Sequence, residues 1–174
     1  DPALSATRVP LFGDLHVHPS KRNGMSETDP EVFIIDTPAD AKRSNGETWH
    51  SEGSCEENPP LASLLYVSKV PENGGGDTLF ANQYMAYEQL SDGLKQTLAG
   101  LKLISRSDNK DAAETRAARI KESGIKLNSD SLSGCHPAIR THPETGRKSL
   151  YISPGHSGNF EGWSEAESAA LLSY

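Results

Sequence analysis

Short apolar runs separated by turns rich in glycine and proline most restrict how this chain can fold. The clearest case is an apolar stretch over 61–70, followed by the turn PENGGG (71–76) and a second run over 77–81. Two such runs around a turn of this kind predict a hairpin-like pair of strands. A shorter continuous run over 32–35 predicts a buried strand.

The rest of the chain alternates further short strands with a few helices. Strands are predicted over 102–105, 136–141 and 149–153, the last two joined by a turn over 142–146. Helices are predicted over 82–90, from the N-cap Ser91 to about Gly100, over 111–122, and from a capping box at Ser164. Many short strands with inserted helices favour a mainly β sandwich or barrel over a doubly wound α/β sheet.

Composition narrows the classes of function. A length of 174 residues suits one domain, and the formal net charge of −7 argues against binding to nucleic acid or to an anionic membrane surface. A negative net charge is still compatible with a small anionic substrate that is bound by a local cluster of residues. We found no apolar run near 18 residues and no signal-peptide pattern, which predicts a cytoplasmic protein. Cys55 and Cys135 are predicted to be reduced thiols.

Both ends of the sequence have features of internal positions in a longer chain. The sequence begins at Asp1 rather than at a methionine, and it stops at Tyr174 within an apolar helical pattern that has no C-cap signal. We therefore expect the chain to be part of a longer protein.

The pair His50 and Glu52 is the best candidate for a metal site. On an extended segment, side chains two residues apart project from the same face, with Cα atoms about 6.6 Å apart. An imidazole and a carboxylate can then converge on one ion, and two histidines plus a carboxylate suit non-haem Fe(II) oxygenases. With six histidines and 24 acidic residues in the chain, a bare H-x-E pair is weak evidence by itself.

His16 and His18 offer a different interpretation. An H-x-H pair on a strand is also the first metal motif of amidohydrolases and related phosphoesterases, so a metal-dependent hydrolase is an alternative. A barrel of that kind needs about 250 residues of repeated strand and helix units, which this chain lacks. A non-catalytic jelly-roll binding protein is a third possibility. Trp49 is expected in the core, and His136, His142 and His156 are expected to be structural or surface residues.

Six blocks of sequence carry a resemblance to a known family. In order they are LFGDLHVHP (11–19), WHSE (49–52), PP (59–60), GGDTLF (75–80), HPAIRTHP (136–143) and GRKSLY (146–151). In this order and spacing they resemble the taurine dioxygenase and aryloxyalkanoate dioxygenase family of Fe(II)- and 2-oxoglutarate-dependent oxygenases. The resemblance runs from about Val9 to Tyr174. It implies that residues 1–174 form a single, incomplete domain of this family.

The resemblance implies a double-stranded β-helix, also called a jelly-roll or cupin-like fold, and a dioxygenase that uses Fe(II), 2-oxoglutarate and O2. It implies that His50 and Glu52 are the first two iron ligands, that Thr78 binds a 2-oxoglutarate carboxylate, and that His18 contacts the substrate. The third histidine ligand, and an arginine that grips 2-oxoglutarate, are expected beyond Tyr174. The implied substrate is a small sulfonate, sulfate ester or aryloxyalkanoate-like anion, and relatives of this kind are often dimers or tetramers.

Two positions depart from the family pattern. Glu52 stands where the family usually has aspartate, and the longer side chain keeps the same oxygen donors. Lys21 replaces a tyrosine near the substrate, which weakens the case for taurine itself as the substrate.

Overall fold

The computed structural model describes residues 13–19, 30–38, 41, 46–109 and 131–174. The chain forms two compact units, one made of Asp1–Glu47 with Glu114–Asp130 and the other of Thr48–Ala113 with Ser131–Tyr174. All helices and strands that the described ranges contain belong to the second unit. The predicted helix over 111–122 and the position of Lys21 lie outside the described residues.

The three short helices in the described part of the chain begin at polar caps. Helix α1 (Gln83–Gln89) follows Asn82, whose side-chain oxygen accepts hydrogen bonds from two backbone N–H groups of the first turn. Helix α2 (Asp92–Leu98) follows Ser91, and helix α3 (Glu165–Leu172) opens with a reciprocal capping box between Ser164 and Glu167. Such caps satisfy backbone donors that have no partner within the helix. The helix starts predicted at these three caps are confirmed.

Within the described ranges, five short strands form two antiparallel sheets. In the first sheet, β1 (Lys102–Arg106) lies between β2 (Ser133–Pro137) and β5 (Ser157–Phe160). In the second, β3 (Ile139–Thr141) pairs with β4 (Lys148–Leu150) across the predicted turn.

The strand predicted over 136–141 is instead divided between the two sheets. Ala138, which is completely buried, separates β2 from β3, and its N–H donates to the Leu101 carbonyl at 2.9 Å. Its carbonyl accepts from the Tyr151 N–H at 2.8 Å. The backbone of this one residue therefore links the sheets at the point where the strand changes partner.

A small apolar core joins the first sheet to the helices. Leu98, Leu103, Ala138 and Phe160 are its fully buried members. Strand β1 alternates exposed and buried positions, as expected for a strand with one face on a core. Burying a side chain the size of leucine or phenylalanine contributes about 1.5–3 kcal/mol. This core fixes the positions of β1 and β5, which border the candidate site.

Several predicted strands are wrong. Residues 32–35, 61–70 and 77–81 are assigned to neither helix nor strand, and Leu61 and Phe80 are 82% and 88% exposed. A strand forms only where a second backbone donates and accepts hydrogen bonds in register, and an apolar run by itself does not reveal whether such a backbone is present. The turn between the last two runs is confirmed, since the Gly74 N–H donates to the Pro71 carbonyl at 3.2 Å.

Two predictions about single residues have opposite outcomes. Trp49 was expected in the core, but it is 50% exposed, because it lies on the loop that carries His50 rather than on a strand facing the core. The thiol prediction is confirmed: Cys55 is buried, Cys135 is exposed, and neither is part of a disulfide. Each helix within the described ranges is too short or too polar to cross a lipid bilayer.

Candidate metal centre

The segment that carries His50 and Glu52 is a tightly turned loop. The Ser54 N–H donates to the Ser51 carbonyl at 3.3 Å, and the Glu56 N–H donates to the Gly53 carbonyl at 2.9 Å. Gly53 has φ +62°, and a Cβ there would lie 2.4 Å from Cδ of Pro60. Only glycine combines this left-handed backbone with the close approach of the proline ring. The turn thus folds the chain back directly after Glu52.

The loop brings the two predicted ligands together. His50 Nε2 lies 3.6 Å from Glu52 Oε2, with the two side chains 29% and 58% exposed. Metal bonds of about 2.1 Å place two neighbouring ligands of one ion about 3–3.6 Å apart. The observed separation matches this range. The structure therefore brings His50 and Glu52 together as a candidate pair of metal ligands.

The hydrogen bond on the other ring nitrogen suits a metal ligand. His50 Nδ1 lies 2.7 Å from the Thr48 carbonyl, which can only accept, so Nδ1 carries the proton. This leaves the Nε2 lone pair on the side of Glu52. Histidines that bind metals almost always donate their second N–H to a carbonyl or carboxylate in this way.

The Glu52 carboxylate also sets the electrostatics of the ring. Its interaction is the main cause that raises the pKa of His50 above the ordinary value of 6.5, with burial opposing it and the Thr48 carbonyl adding to it. A carboxylate that stabilises a cationic imidazole stabilises a metal cation at the same position by the same attraction.

A third ligand is not among the residues described. Within the described ranges no group of three or more His, Cys, Asp or Glu side chains could hold a metal ion. The expectation of a third histidine beyond Tyr174 stays a prediction.

His156 is the feature of this site that sequence reasoning missed. Its ring lies 5.4 Å from the His50 ring, centroid to centroid, at an interplanar angle of 59°. Its Nδ1 is joined by a 2.9 Å hydrogen bond to Ser54 Oγ, a residue 102 positions away in sequence. Local spacing carries no signal for such a contact, and only an alignment or a structure could have found it.

His136 and His142 were also expected to be structural or surface residues, and their contacts agree with this. His136 is buried, and its Nε2 bonds to the Glu56 carbonyl at 2.8 Å. His142 lies in the turn between β3 and β4, where its Nδ1 accepts backbone N–H bonds from Glu144 and Thr145.

Thr78 lies in the same compact unit as His50. Thr78 is exposed in the segment after the glycine-rich turn. The role of Thr78 in binding 2-oxoglutarate stays a prediction. A groove of about 570 Å³ is nevertheless bordered by Ser51, between the two candidate ligands, and by Phe80, two residues after Thr78.

His18 belongs to the other compact unit. Its ring stacks on Phe33 at 4.9 Å with an interplanar angle of 18°, and it meets His16 edge-on at 6.4 Å. A substrate contact by His18 and a metal role for the His16 and His18 pair both stay predictions.

Comparison with known proteins identifies the family. Residues 7–174 match the profile of the family described as "Taurine catabolism dioxygenase TauD, TfdA family". The chain belongs to this family. The resemblance predicted from the six sequence blocks is confirmed.

The relatives of this TauD, TfdA family member include two yeast proteins. A Schizosaccharomyces pombe protein, named as a candidate alpha-ketoglutarate-dependent sulfonate dioxygenase, is 36% identical over 94% of this chain and 41% of its own length. A Saccharomyces cerevisiae alpha-ketoglutarate-dependent sulfonate dioxygenase is 32% identical over 94% of this chain and 39% of its own length. The chain thus spans about two fifths of the length of these relatives.

A solved structure supports the relation at the level of fold. The crystal structure of a taurine dioxygenase from Burkholderia xenovorans matches with a TM-score of 0.53 and 28% identity, covering 73% of this chain and 39% of that one. The described part of this chain, with its two small sheets and three short helices, is therefore similar in fold to part of that enzyme.

Proposed function

We propose that the protein to which this chain belongs is an Fe(II)- and 2-oxoglutarate-dependent dioxygenase that hydroxylates a small anionic organic substrate. The observation that carries the proposal is the 3.6 Å approach of His50 Nε2 and Glu52 Oε2 in a chain of the TauD, TfdA family. A sulfonate is the first substrate class to test, because two of the relatives are named for sulfonates.

His50 and Glu52 would bind the metal, and Thr48 would orient His50. The Thr48 carbonyl keeps the proton on Nδ1 of His50, so that Nε2 is available to Fe(II). Glu52 supplies a negatively charged oxygen beside it. Bound Fe(II) with 2-oxoglutarate supplies the oxygen chemistry, which releases succinate and CO2. The protein's part is to orient the reactants and to place charge.

The remaining predicted residues complete the proposal. Thr78 would donate its hydroxyl hydrogen bond to a carboxylate of 2-oxoglutarate, and His18 would contact the substrate anion, since hydrogen bonds to charged acceptors are the strong ones. The third histidine and an arginine for 2-oxoglutarate would lie beyond Tyr174. The complete domain would be a double-stranded β-helix, in a cytoplasmic protein that forms homodimers or homotetramers.

The hydrolase alternative built on His16 and His18 has little support. The stretch that matches the dioxygenase family, 7–174, includes both of these histidines. Zinc-supported hydrolysis without O2, measured on the full product of the gene, would favour this alternative.

The test is anaerobic addition of Fe(II) and 2-oxoglutarate to the full product of the gene, alongside the 174-residue chain. A ketoacid chelated to Fe(II) gives a weak visible charge-transfer band. We expect the band in the full product, and we expect it to be lost in His50→Ala and in Glu52→Ala. His142→Ala is the matched control, because this histidine lies in the turn between β3 and β4 and bonds to backbone groups of that turn.

Turnover is then measured as succinate release with sulfonates, sulfate esters and aryloxy acids. Release that depends on both O2 and one of these anions would support the proposal. Absence of the band from the full product would refute the dioxygenase function and leave a jelly-roll binding protein or the hydrolase built on His16 and His18.

A further inference from the structure

We propose that the turn formed by residues 153–157 is a positioning element for His50, with His156 and Gly155 as its positioning residues. This inference rests on the proposed role of His50 as a metal ligand, and it assigns a function to a histidine 106 residues further along the chain. Three sets of contacts carry it.

The first contact is between backbones. The Gly155 N–H donates to the Trp49 carbonyl at 2.9 Å, directly before His50. A Cβ at Gly155 would lie 3.0 Å from that carbonyl oxygen and 3.2 Å from Cβ of His50. Both distances are tighter than ordinary van der Waals contact, so a side chain at Gly155 would push on the His50 backbone. The turn therefore lies against the segment that carries the candidate ligand.

The second contact is between rings. The His156 and His50 rings, 5.4 Å apart, are within the 4.5–7 Å range that is typical of packed aromatic pairs. The 2.9 Å hydrogen bond between Ser54 Oγ and His156 Nδ1 fixes the His156 ring, and Ser54 is itself buried. The hydroxyl that fixes His156 thus comes from the same loop as His50 and Glu52.

The third set of contacts holds the turn itself. Ser153 and Ser157 exchange two hydrogen bonds of 3.0 Å. The Asn109 side-chain amide donates to the Pro154 and Ser157 carbonyls at 3.2 and 3.0 Å. The Arg106 N–H, at the end of β1, donates to the His156 carbonyl at 2.8 Å. The turn is therefore fixed to the central strand of the first sheet rather than being a free loop.

Together these contacts restrain the His50 ring from two sides. The Thr48 carbonyl holds Nδ1, and the His156 ring packs against the imidazole. Without His156, the His50 ring can turn about its side-chain bonds and move Nε2 away from Glu52. Residues that orient a ligand in this indirect way typically change metal affinity by about 10–100-fold when they are replaced.

The first measurement needs no metal. In the full gene product with isotope-labelled histidine, NMR should show a cross-relaxation peak between the His50 and His156 rings and a proton on His50 Nδ1. We expect His156→Ala and Gly155→Ala to give averaged or broadened His50 ring signals. Gly93→Ala is the matched control for Gly155→Ala, since a Cβ at Gly93 meets no atom within 4 Å. Unchanged His50 signals in both test variants would overturn the inference.

The second measurement is the affinity for Mn(II), determined by calorimetry on the same proteins. We expect His156→Ala and Gly155→Ala to weaken binding by about tenfold, while His156→Phe, which keeps an aromatic ring against His50, stays within about threefold of the parent. Equal Mn(II) affinity in the parent and in His156→Ala, with binding abolished in His50→Ala, would contradict the positioning role.

The two measurements separate this inference from the proposed function. If the NMR effects are observed while Mn(II) binding to the parent is absent or is unaffected by His50→Ala, the metal function fails. The positioning of the His50 ring by His156 then stands. Thermal unfolding of each variant identifies any that fails to fold, and His156→Phe then keeps the inference testable.

Discussion

His50 Nε2 and Glu52 Oε2 lie 3.6 Å apart at the surface of one loop, and His50 Nδ1 is bonded to the Thr48 carbonyl at 2.7 Å. Three nearby features of the sequence thus orient the His50 ring: the Thr48 carbonyl two residues before it, the Glu52 carboxylate two residues after it, and the turn at Gly53. All three are local in sequence, and the contacts from residues 153–157 act on the same ring from a distant part of the chain. Distant contacts refine its orientation.

The charge of Glu52 is predicted to matter more than its length. Glu52→Gln keeps the length and removes the charge, and we expect it to weaken Mn(II) binding to the full gene product by about tenfold or more. Glu52→Asp shortens the side chain but keeps the charge, so it should lose less. The Gln variant should also lower the pKa of His50, since the Glu52 carboxylate is the main cause of its rise.

Calorimetry and an NMR titration of the His50 ring would check these outcomes. The matched control is Glu57→Gln, which makes the same charge change at an exposed position of the same loop. Equal affinity in Glu52→Gln and in this control would show that Glu52 is not a ligand.

Local signals in the sequence were sufficient for part of this structure. The caps at Ser91 and Ser164, the turn over 142–146 and the His50 and Glu52 pair all depend on residues within a few positions of one another. Their geometry depends largely on hydrogen bonds and contacts between nearby residues. The family resemblance then indicated which chemistry the pair serves.

Features that depend on distant partners could not be predicted in the same way. The run over 61–70 is as apolar as a buried strand, but a strand also needs a partner backbone, which periodicity does not reveal. The contact of His156 with Ser54 and His50 joins parts of the chain about a hundred residues apart. The exposure of Trp49 likewise depends on what packs around its loop rather than on its own chemistry.

Phe160 is predicted to contribute most to the small core. It is completely buried between the first sheet and the helices, and it packs edge-on against Trp163 at 5.4 Å. Phe160→Ala removes a large buried side chain and leaves a cavity, so we expect a loss of about 3–5 kcal/mol in the free energy of unfolding. Phe80→Ala, at a position 88% exposed, should stay within about 0.5 kcal/mol of the parent.

Urea unfolding followed by circular dichroism measures both Phe variants. A loss below about 1 kcal/mol for Phe160→Ala would mean that the core does not depend on this ring.

Ser168 connects α3 to the first sheet through one hydrogen bond. Its side chain is fully buried, and its Oγ accepts from the Phe160 N–H at 3.0 Å. Ser168→Ala would leave that N–H buried without this acceptor, so we expect a destabilisation of about 1–3 kcal/mol. Ser173→Ala, which removes an exposed hydroxyl bonded to the Ala170 carbonyl, is the control and should have a much smaller effect. Equal urea midpoints for these two variants would argue against a role for the Ser168 bond in docking α3.

The capping box of α3 should make the stability of this helix depend on acidic pH. Glu167 Oε2 accepts from the Ser164 hydroxyl at 2.7 Å and from the Ser164 N–H at 2.8 Å. These bonds, the hydroxyl bond first, hold the pKa of Glu167 below its ordinary value of 4.5. A carboxyl whose pKa is lower in the folded state than in the unfolded state stabilises the fold above the unfolded pKa. That contribution is lost as the pH falls through the folded pKa.

The test compares the parent with Glu167→Gln, which keeps the capping geometry but cannot ionise. We expect the parent to be the more stable protein near pH 7, and the difference in free energy of unfolding to shrink as the pH falls below about 4.5, the unfolded pKa. In a Ser164→Ala background, the pH-dependent part of the difference should become smaller, because the main cause of the pKa shift is gone. A difference that stays constant or widens toward acid pH would contradict the assignment of this pKa shift to the capping box.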